Sequence, residues 1–333
     1  MLSYVIRRLV WVVVLLFLVS AVTFVIFYAL PSADPAKLRA GKQPTAALIK
    51  SIRHQLGLDK SLPEQYRVYM AKALPFDLNG KGFPLRFKTP DLGYSYQNSQ
   101  PVLRELRQRL PATISLTLGA VVVWLLIGIP IGIISAVRRR SILDRATMTG
   151  ALVAISAPVY WLGLVGLYFF SSDIGKIHIF DGAGSYTPIS DNVSHWFGSL
   201  LLPWIVLAAS FAAFYARLLR SNMIEVMTED YIRTARAKGL PERRVIMRHA
   251  LRSAITPIVT VLGLDIGILL GGALLTERVF TIPGIGLYAY QGISNADLSV
   301  VQGTVLLATF FIVVANLIVD LVYAVLDPRV RYS

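Results

Sequence analysis

Cationic side chains concentrate in one passage of this chain, DYIRTARAKGLPERRVIMRHA, which runs from Asp230 to Ala250. The passage holds six Lys or Arg residues and two acids, in a chain that is 55% hydrophobic. Guanidinium and ammonium groups bind carboxylates and phosphates. The chemistry that this passage can perform is therefore the binding of an acidic protein surface or of anionic lipid headgroups.

The passage has the pattern of two helices joined by a tight bend. Asp230 suits an N-cap, the residues up to Lys238 favour a helix, and Gly239 followed by Leu240 is typical of a helix C-terminus. Pro241 suits the first position of a second helix. Such a rigid projection is more than a connector needs, so the pattern predicts a docking element. A cationic loop held at anionic headgroups is the alternative.

The sequence lacks the common signatures of enzymatic chemistry. No Gly-Lys pair is followed by Ser or Thr, so the chain has no phosphate-binding GxxxxGK[ST] loop. His-Glu-x-x-His and Gly-x-Ser-x-Gly are also absent. The lack of cysteine excludes disulfides and thiolate metal sites. We therefore expect no catalytic residue, no metal ligand and no cofactor bound by this chain.

Long apolar runs must position these residues. With 16% charged residues and a mean hydropathy of +0.60, the composition indicates a membrane protein. Six runs are long enough for spanning helices: Leu9–Leu30, Ala112–Val137, Ala146–Phe170, Leu200–Leu219, Ala254–Thr276 and Val301–Leu326. As a helix the first run measures about 33 Å, enough for a hydrocarbon core of about 30 Å. The predicted fold is an all-α polytopic membrane protein with six transmembrane helices.

Positive charges in the short loops predict the orientation. Arg7 and Arg8 precede the first run, four arginines separate the second run from the third, and Arg329 and Arg331 follow the sixth. The Asp230–Ala250 passage joins the fourth run to the fifth. By the positive-inside rule this passage and both termini are cytoplasmic. The net charge of +14 thus reports topology and attraction to membrane lipid, rather than nucleic-acid binding.

The stretch 31–110 is external by alternation although it holds fourteen Lys or Arg and six acids. At about eighty residues it is too long for the charge rule to apply. Its first half predicts two short helices around the turn Gly57–Pro63, with Leu48, Ile52 and Leu56 on one apolar face. The predicted domains are an uncleaved anchor helix (1–30), a small external domain (31–110), a five-helix core with the loop 225–252 (111–327), and a cytoplasmic tail (328–333).

A resemblance to a known family rests on segments spread along nearly the whole chain. YIRTARAKGLPERRVIMRHALRSAITP is similar to the cytoplasmic signature loop of permease subunits of bacterial ATP-binding-cassette importers, in the form typical of the first permease of dipeptide and oligopeptide transporters. The segments that resemble this family in the same order are YVIRRL, DLGYSYQNSQPV, RLPATISLTL, SAPVYWLG, TERVFTIPGIGLYAY, ADLSVVQG and DPRVRY. The general consensus begins Glu-Ala-Ala where this chain has Arg233, Thr234 and Ala235, a departure usual in the peptide branch.

The resemblance implies a type I importer permease fold in a heterotetramer of the cell inner membrane. Its partners would be a second homologous permease, two ATP-binding-cassette ATPases that bind ATP and Mg, and an external substrate-binding protein. The signature loop would form a coupling helix in a cleft of an ATPase, where Arg233, Arg236 and Lys238 meet acids and Ala235, Ala237 and Gly239 permit close approach. The residues expected to couple are Asp230, Tyr231, Arg233, Thr234, Ala235, Arg236, Ala237, Lys238 and Gly239.

Few residues stand out within the membrane. Pro158 predicts a kink in the third run, with Ser156 able to bond a freed carbonyl, and the kink either shapes a pathway or is a static bend. Asp265 is expected to face a partner or a wet cavity, because an acid in hydrocarbon is costly. Asp320, in the sixth run, is expected to be structural. The expected path residues are Ser156, Pro158, Trp161 and Asp265.

Glycines mark two further features. Gly263, Gly267 and Gly271 recur every four residues, which places them on one helical stripe for close packing, against either the second permease or another helix of this subunit. The loop Thr276–Gly292 resembles the outer gate region of the family, with simple surface lining as the alternative. Its expected gate residues are Phe280, Pro283, Gly284 and Gly286.

Two other classes of membrane protein are weaker alternatives. A proton-coupled secondary carrier would be expected to have more spans, an internal repeat and ionisable relays at mid-depth. The histidines all lie outside the runs: His54, His178, His195 and His249. A membrane enzyme would need an active site with no recognisable motif. The sequence therefore favours import of a peptide or peptide-sized ligand; it does not distinguish a dipeptide from an oligopeptide, glutathione, haem, a metal chelate or a sugar.

Overall fold

The computed structural model describes residues 2–26, 34–40, 45–55, 57–74, 76 and 88–326. Within these ranges the regular structure is helical, apart from two isolated β-bridges. The helices are α1 (Leu2–Phe24), α2 (Pro35–Ala40), α3 (Ala46–Gln55), α4 (Leu62–Ala73), α5 (Val102–Val137), α6 (Ile142–Ser156), α7 (Val159–Phe170), α8 (Val193–Val226), α9 (Asp230–Ala237), α10 (Glu242–Arg244), α11 (Leu251–Ala254), α12 (Thr256–Leu270), α13 (Leu274–Val279), α14 (Ile285–Ser294) and α15 (Leu298–Leu326). A π-helical stretch, Val245–Ala250, joins α10 to α11.

Among the residues that the structure describes, four helices are long and apolar enough to cross a membrane, namely α1, α5, α8 and α15. The number becomes six if each of two bent pairs is one crossing. The pair α6–α7 bends by 99°, and Glu242–Ala254 bends by 51° against α12. These elements follow the six predicted runs in order, and α5 and α8 begin about one to three turns before the predicted starts.

Pro158 breaks the third predicted span rather than merely kinking it. α6 ends at Ser156, and Pro158, which has no N–H to donate, is the N-cap of α7. The carbonyl oxygen of Ala154, four residues before the proline, accepts a hydrogen bond of 3.3 Å from Ser210 of α8. The expectation that Ser156 takes up that freed carbonyl is wrong, since its hydroxyl donates to Leu152 O at 2.8 Å.

The core lies mainly between α5 and α8, which pack along much of their length. Trp124 is fully buried and stacks on Phe211 with ring centroids 4.6 Å apart. A Cβ at Gly128 would lie 2.9 Å from the carbonyl oxygen of Ala212, so glycine allows the two backbones to approach closely. This pair forms the rigid centre on which the shorter elements are mounted.

The glycine stripe of α12 faces α15 in the same subunit. A Cβ at Gly267 would lie 2.7 Å from Cβ of Ala315, and one at Gly271 would lie 2.8 Å from Cβ of Ala308. A Cβ at Gly263 would overlap Val319. Of the two alternatives left open by the sequence, the contacts favour packing within this subunit.

The two ends of the helical bundle differ. We call the end that carries α9, the last turn of α5 and the first turn of α6 the α9 face, and the end that carries α13 and α14 the hairpin face. α3 and α4 occupy the stretches for which two short helices were predicted, and α4 contacts α1 through a 2.8 Å hydrogen bond between Tyr66 and Ser20. Predictions for Leu56, for residues 27–33 and 77–87, for the side chain of Asp320 and for the tail lie outside the described residues.

Candidate functional site

α9 is buried on one side and exposed on the other. Ile232 is fully buried and Ala235 nearly so, and both pack into the main hydrophobic core. The exposed residues of the same segment are Asp230, Tyr231, Arg233, Thr234, Arg236, Ala237, Lys238 and Gly239. α9 is thus a short ridge fastened to the bundle, with a polar and small-residue surface turned outward.

The resemblance implied that Ala235 permits close approach of a partner, and this expectation is wrong because Ala235 is buried. Its side chain faces the interior of this subunit. The period of the helix explains the correction, because Ile232 and Ala235 are three residues apart and so lie on the same side of α9. Ala237 and Gly239 remain exposed and available for close approach.

The ends of α9 agree only partly with the predicted caps. Glu229, not Asp230, is the N-cap, and Asp230 is the first helical residue. Gly239 has a φ of +74° and its N–H donates to Arg236 O at 2.9 Å, as expected of a residue that ends a helix. Pro241 is the N-cap of α10 rather than its first residue. The bend is therefore as predicted, with boundaries shifted by one residue.

Arg236 is held within its own chain. Its guanidinium donates to both carboxylate oxygens of Glu242, at 3.1 and 2.7 Å, and this contact raises the pKa of Arg236. Arg233 makes only a long, exposed contact of 3.5 Å with Asp230. Among the described residues no ion pair involves Lys238. Of the three cations expected to bind acids of an ATPase, Arg233 and Lys238 therefore remain available. Arg236 instead stabilises the bend through Glu242.

A buried ion pair on the α9 face was missed by the sequence reasoning. Asp144 is 3% exposed and accepts from Arg220 at 2.7 and 2.8 Å, from the backbone N–H of Arg140 at 2.8 Å, and from the hydroxyl of Ser135. The pair joins the end of α5, the start of α6 and the part of α8 that leads to α9. An acid and an arginine just outside two apolar runs are the only sequence signals for it.

Asp265 has a partner inside the bundle. The hydroxyl of Tyr215, a fully buried residue of α8, donates to Asp265 Oδ2 at 2.7 Å. Asp265 itself is half-buried. Tyr215 and Ser210 are five residues apart, so they lie on adjacent turns of α8. One of them contacts Asp265 and the other contacts α6 just before its break. The expected polar partner of this acid is therefore a tyrosine.

The other expected path residues lie at the break itself. Ser156, Pro158 and Trp161 are all exposed in the isolated chain. They cluster where α6 ends and α7 begins, whereas Asp265 belongs to α12 and is hydrogen-bonded to Tyr215 of α8. The structure thus places the four residues around α6, α7, α8 and α12 rather than in one contact group.

A second missed residue, Glu277, organises the hairpin face. This fully buried carboxylate accepts from the hydroxyl of Thr113 at 2.8 Å and from the N–H of Leu287 at 2.8 Å. The same Thr113 hydroxyl oxygen accepts from the N–H of Ile285 at 2.8 Å. Since Ile285 and Leu287 begin α14, the acid stabilises a helix N-terminus and ties it to α5.

Two of the expected gate residues, Gly284 and Gly286, lie where neighbouring atoms leave no room for a side chain. A Cβ at Gly284 would overlap the Glu277 carboxylate, and one at Gly286 would lie 2.7 Å from Leu274 Cα. Phe280 is 3% exposed and packs beside Gly163 of α7, so its ring is enclosed within this subunit and is not free to close a path by itself. Pro283 is exposed at the tip of the hairpin.

The segment DLGYSYQN is fastened to the same face. Asp297, which is 1% exposed and precedes α15, accepts from the hydroxyl of Ser95 at 2.6 Å and from the N–H of Tyr96 at 2.7 Å. In the described part of the chain, no group of three or more His, Asp or Glu side chains is placed to hold a metal ion. Asp297, like Glu277, therefore holds neighbouring backbone and hydroxyl groups in place on the hairpin face.

Comparison with known proteins places these features in a family. Residues 128–332 match the binding-protein-dependent transport system inner membrane components, and residues 1–117 match the N-terminal region of such membrane components. The chain is similar to the glutathione transport system permease protein of Escherichia coli (strain K12), with 37% identity over 100% of both chains. It is also similar to the dipeptide transport system permease protein of Alkalihalophilus pseudofirmus, with 36% identity over 100% of both chains.

Proposed function

This chain belongs to the inner membrane components of binding-protein-dependent transport systems, and from that premise we propose that it carries peptides or peptide-sized ligands through an ATP-binding-cassette importer. It is a permease subunit and not an enzyme, because ATP hydrolysis in this family is carried out by separate ATPase subunits. The relatives named for glutathione and for a dipeptide support a substrate of peptide size.

The construction of α9 is the observation that carries the coupling role. A loop that only touched headgroups would need no buried side, whereas Ile232 and Ala235 anchor α9 in the core. The outward side offers Arg233 and Lys238 beside Ala237 and Gly239, which suits insertion of a cationic ridge into an acidic cleft. Since α9 follows α8 and leads through α10 and α11 to α12, a push on it moves both helices.

The α9 face and both termini are cytoplasmic in this proposal, and the hairpin face is external. Two ATPases that bind ATP and Mg dock on the α9 face, one on this chain and one on a second homologous permease. An external binding protein delivers the substrate at the hairpin face. This chain binds no nucleotide.

The translocation path lies beside the break of α6 and α7. Exposed Ser156, Pro158 and Trp161 are available to face the second permease or the substrate, because they sit in a crossing yet are not covered by this subunit. Asp265 contributes a carboxylate of which one oxygen is held by Tyr215, so the other can meet a cationic group.

Reconstitution tests the proposed function. The chain is placed in liposomes either alone or with a second permease, two ATPases and a binding protein loaded with a radiolabelled dipeptide. Uptake is expected only from the complete assembly with ATP. Uptake by the chain alone, driven by a proton gradient, would instead identify a secondary carrier.

A further inference from the structure

An apolar cleft of about 770 Å³ opens on the α9 face and takes no part in the proposed coupling. It lies between the end of α5, the start of α6 and the π-helical stretch that follows α10. Among its lining side chains are Ile134, Val137, Leu143 and Met247, which are between 41% and 51% exposed. Large apolar side chains grouped in this way mark a binding surface rather than a water-facing one.

Two arginines share the same cleft. Arg138 follows the last turn of α5 and Arg243 lies in α10, and both line the cleft and are exposed. The acid that lines the same cleft, Glu242, is already held by Arg236 through both carboxylate oxygens. No ion pair involves Arg138 or Arg243 among the described residues. The cleft therefore combines apolar walls with two positive charges that form no ion pair with a described acidic residue.

We propose that this cleft binds one anionic phospholipid, with acyl chain against the apolar walls and phosphate between Arg138 and Arg243. The cleft lies at the end of a spanning helix, where a headgroup and an acyl chain meet the protein together. Basic pockets between transmembrane helices on the cytoplasmic side recognise such headgroups. A second permease would cover the apolar walls but leave the arginines unpaired, and an acidic ATPase surface would leave the apolar walls exposed.

The lipid would touch three elements at once. α5 and α6 belong to the rigid centre of the bundle, whereas Arg243 and Met247 belong to the segment that connects α9 to α12. A bound lipid would therefore brace the coupling segment against the bundle. This consequence rests on the proposed function, but the binding itself does not.

Lipid binding is measured directly, by native mass spectrometry of the purified full-length chain after removal of lipid. Phosphatidylglycerol and phosphatidylcholine are titrated separately, and we expect the protein to prefer phosphatidylglycerol. Arg138→Gln with Arg243→Gln should weaken phosphatidylglycerol binding by about fivefold per arginine, or about 25-fold for the pair. The matched control is Arg145→Gln with Arg248→Gln, which removes two exposed arginines outside the cleft, one from α6 and one from the π-helical stretch.

The apolar half of the site has its own variant. Met247→Trp should fill the cleft and displace the lipid without changing the charge, whereas Leu126→Trp, at an exposed position of α5 outside the cleft, should not. Equal losses in the two arginine pairs, or unchanged binding in Met247→Trp, would overturn the proposal. Competition by soluble glycerol phosphate at the same concentration would indicate a phosphate site instead. A photocrosslinker at position 247 that captures an ATPase or the second permease rather than lipid would also overturn it. Because no transport is measured, these results stand whether or not the chain proves to be a peptide importer.

Discussion

Three acidic side chains each hold two or more helices together through hydrogen bonds, and each has a partner of a different kind. Asp144 is paired with a guanidinium, Glu277 with a hydroxyl and a backbone amide, and Asp265 with a phenol. A buried acid that loses its donor retains the whole cost of desolvation. The identity of the partner therefore decides what each substitution does.

Glu277→Gln is expected to destabilise the hairpin face by about 1–3 kcal/mol. Both carboxylate oxygens accept hydrogen bonds, from Thr113 and from Leu287, and a glutamine amide has only one acceptor oxygen. Thermal unfolding of the purified protein in detergent, followed by tryptophan fluorescence, measures the loss. Thr113→Ser is the control, since it keeps the hydroxyl. A melting temperature of Glu277→Gln equal to that of the parent would show that the network contributes little.

Asp265→Asn is expected to change selectivity for charge more than stability. Asparagine still accepts from Tyr215, so the bond survives while the negative charge is lost. Uptake of a lysine-containing dipeptide relative to an uncharged one should fall about fivefold, the ratio that corresponds to about 1 kcal/mol between unit charges 4 Å apart in water.

Tyr215→Phe is the matched comparison for this prediction, because it removes the hydroxyl and leaves the charge of Asp265. That variant should keep the preference for the cationic peptide. If Asp265→Asn lowered the uptake of both peptides equally, the carboxylate would be a structural group rather than a selector.

At the scale of elements, short segments depend on where they are fastened. α9 has only eight residues, too few for a stable isolated helix, and it is ordered by its buried side and by the bend at its end. The bend requires a positive φ at Gly239, where no side chain is in the way. The geometry of this one bend therefore sets the direction in which the chain continues from α9 into α10.

Gly239→Val should uncouple ATP hydrolysis from uptake while membrane insertion stays normal. A β-branched residue at a φ of +74° is strained by roughly 1–2 kcal/mol, so the end of α9 shifts out of register with its partner. Uptake and ATPase rates of the reconstituted complex are compared. Gly184→Val is the control, because Gly184 has a φ of +82° and equally open surroundings but contacts Phe280 on the hairpin face. Normal uptake in Gly239→Val would contradict the coupling role.

At the scale of the whole molecule, α5 connects the two polar centres. Thr113 binds Glu277 near one end, and Ser135 binds Asp144 near the other. Twenty-two residues of helix separate them, or roughly 33 Å, about the thickness of a hydrocarbon core. One continuous helix thus links the hairpin face to the α9 face.

Cysteine labelling tests the orientation of this assembly. The chain has no cysteine, so each introduced thiol is the only one. Thr281→Cys on the hairpin face and Lys238→Cys on the α9 face are both at exposed positions. In intact spheroplasts a membrane-impermeant maleimide should label position 281 at once and position 238 only after permeabilisation. The reverse pattern would invert the proposed topology and remove the ATPase from α9.

Much of this architecture is predictable because it depends on local properties. The order of the six apolar segments and the bend at Gly239 follow from hydropathy and from single-residue backbone preferences, which act within one helix length. In a membrane backbone hydrogen bonds must be made within the protein, so an apolar run of sufficient length is mostly helical.

Only the tertiary structure decided which polar groups meet. Glu277 and Thr113 are 164 residues apart, and Arg220 and Asp144 are 76 apart, separations at which no periodicity carries information. The same holds for the 99° break at Pro158, where the hydroxyl of Ser210 in another helix donates to the freed carbonyl oxygen of Ala154. The burial of Ala235 likewise depends on the core beneath α9. The sequence by itself therefore determined the order of the apolar segments and the positions of the bends at Pro158 and Gly239, while packing between distant segments decided how sharply the chain breaks at Pro158 and which partners hold the segments.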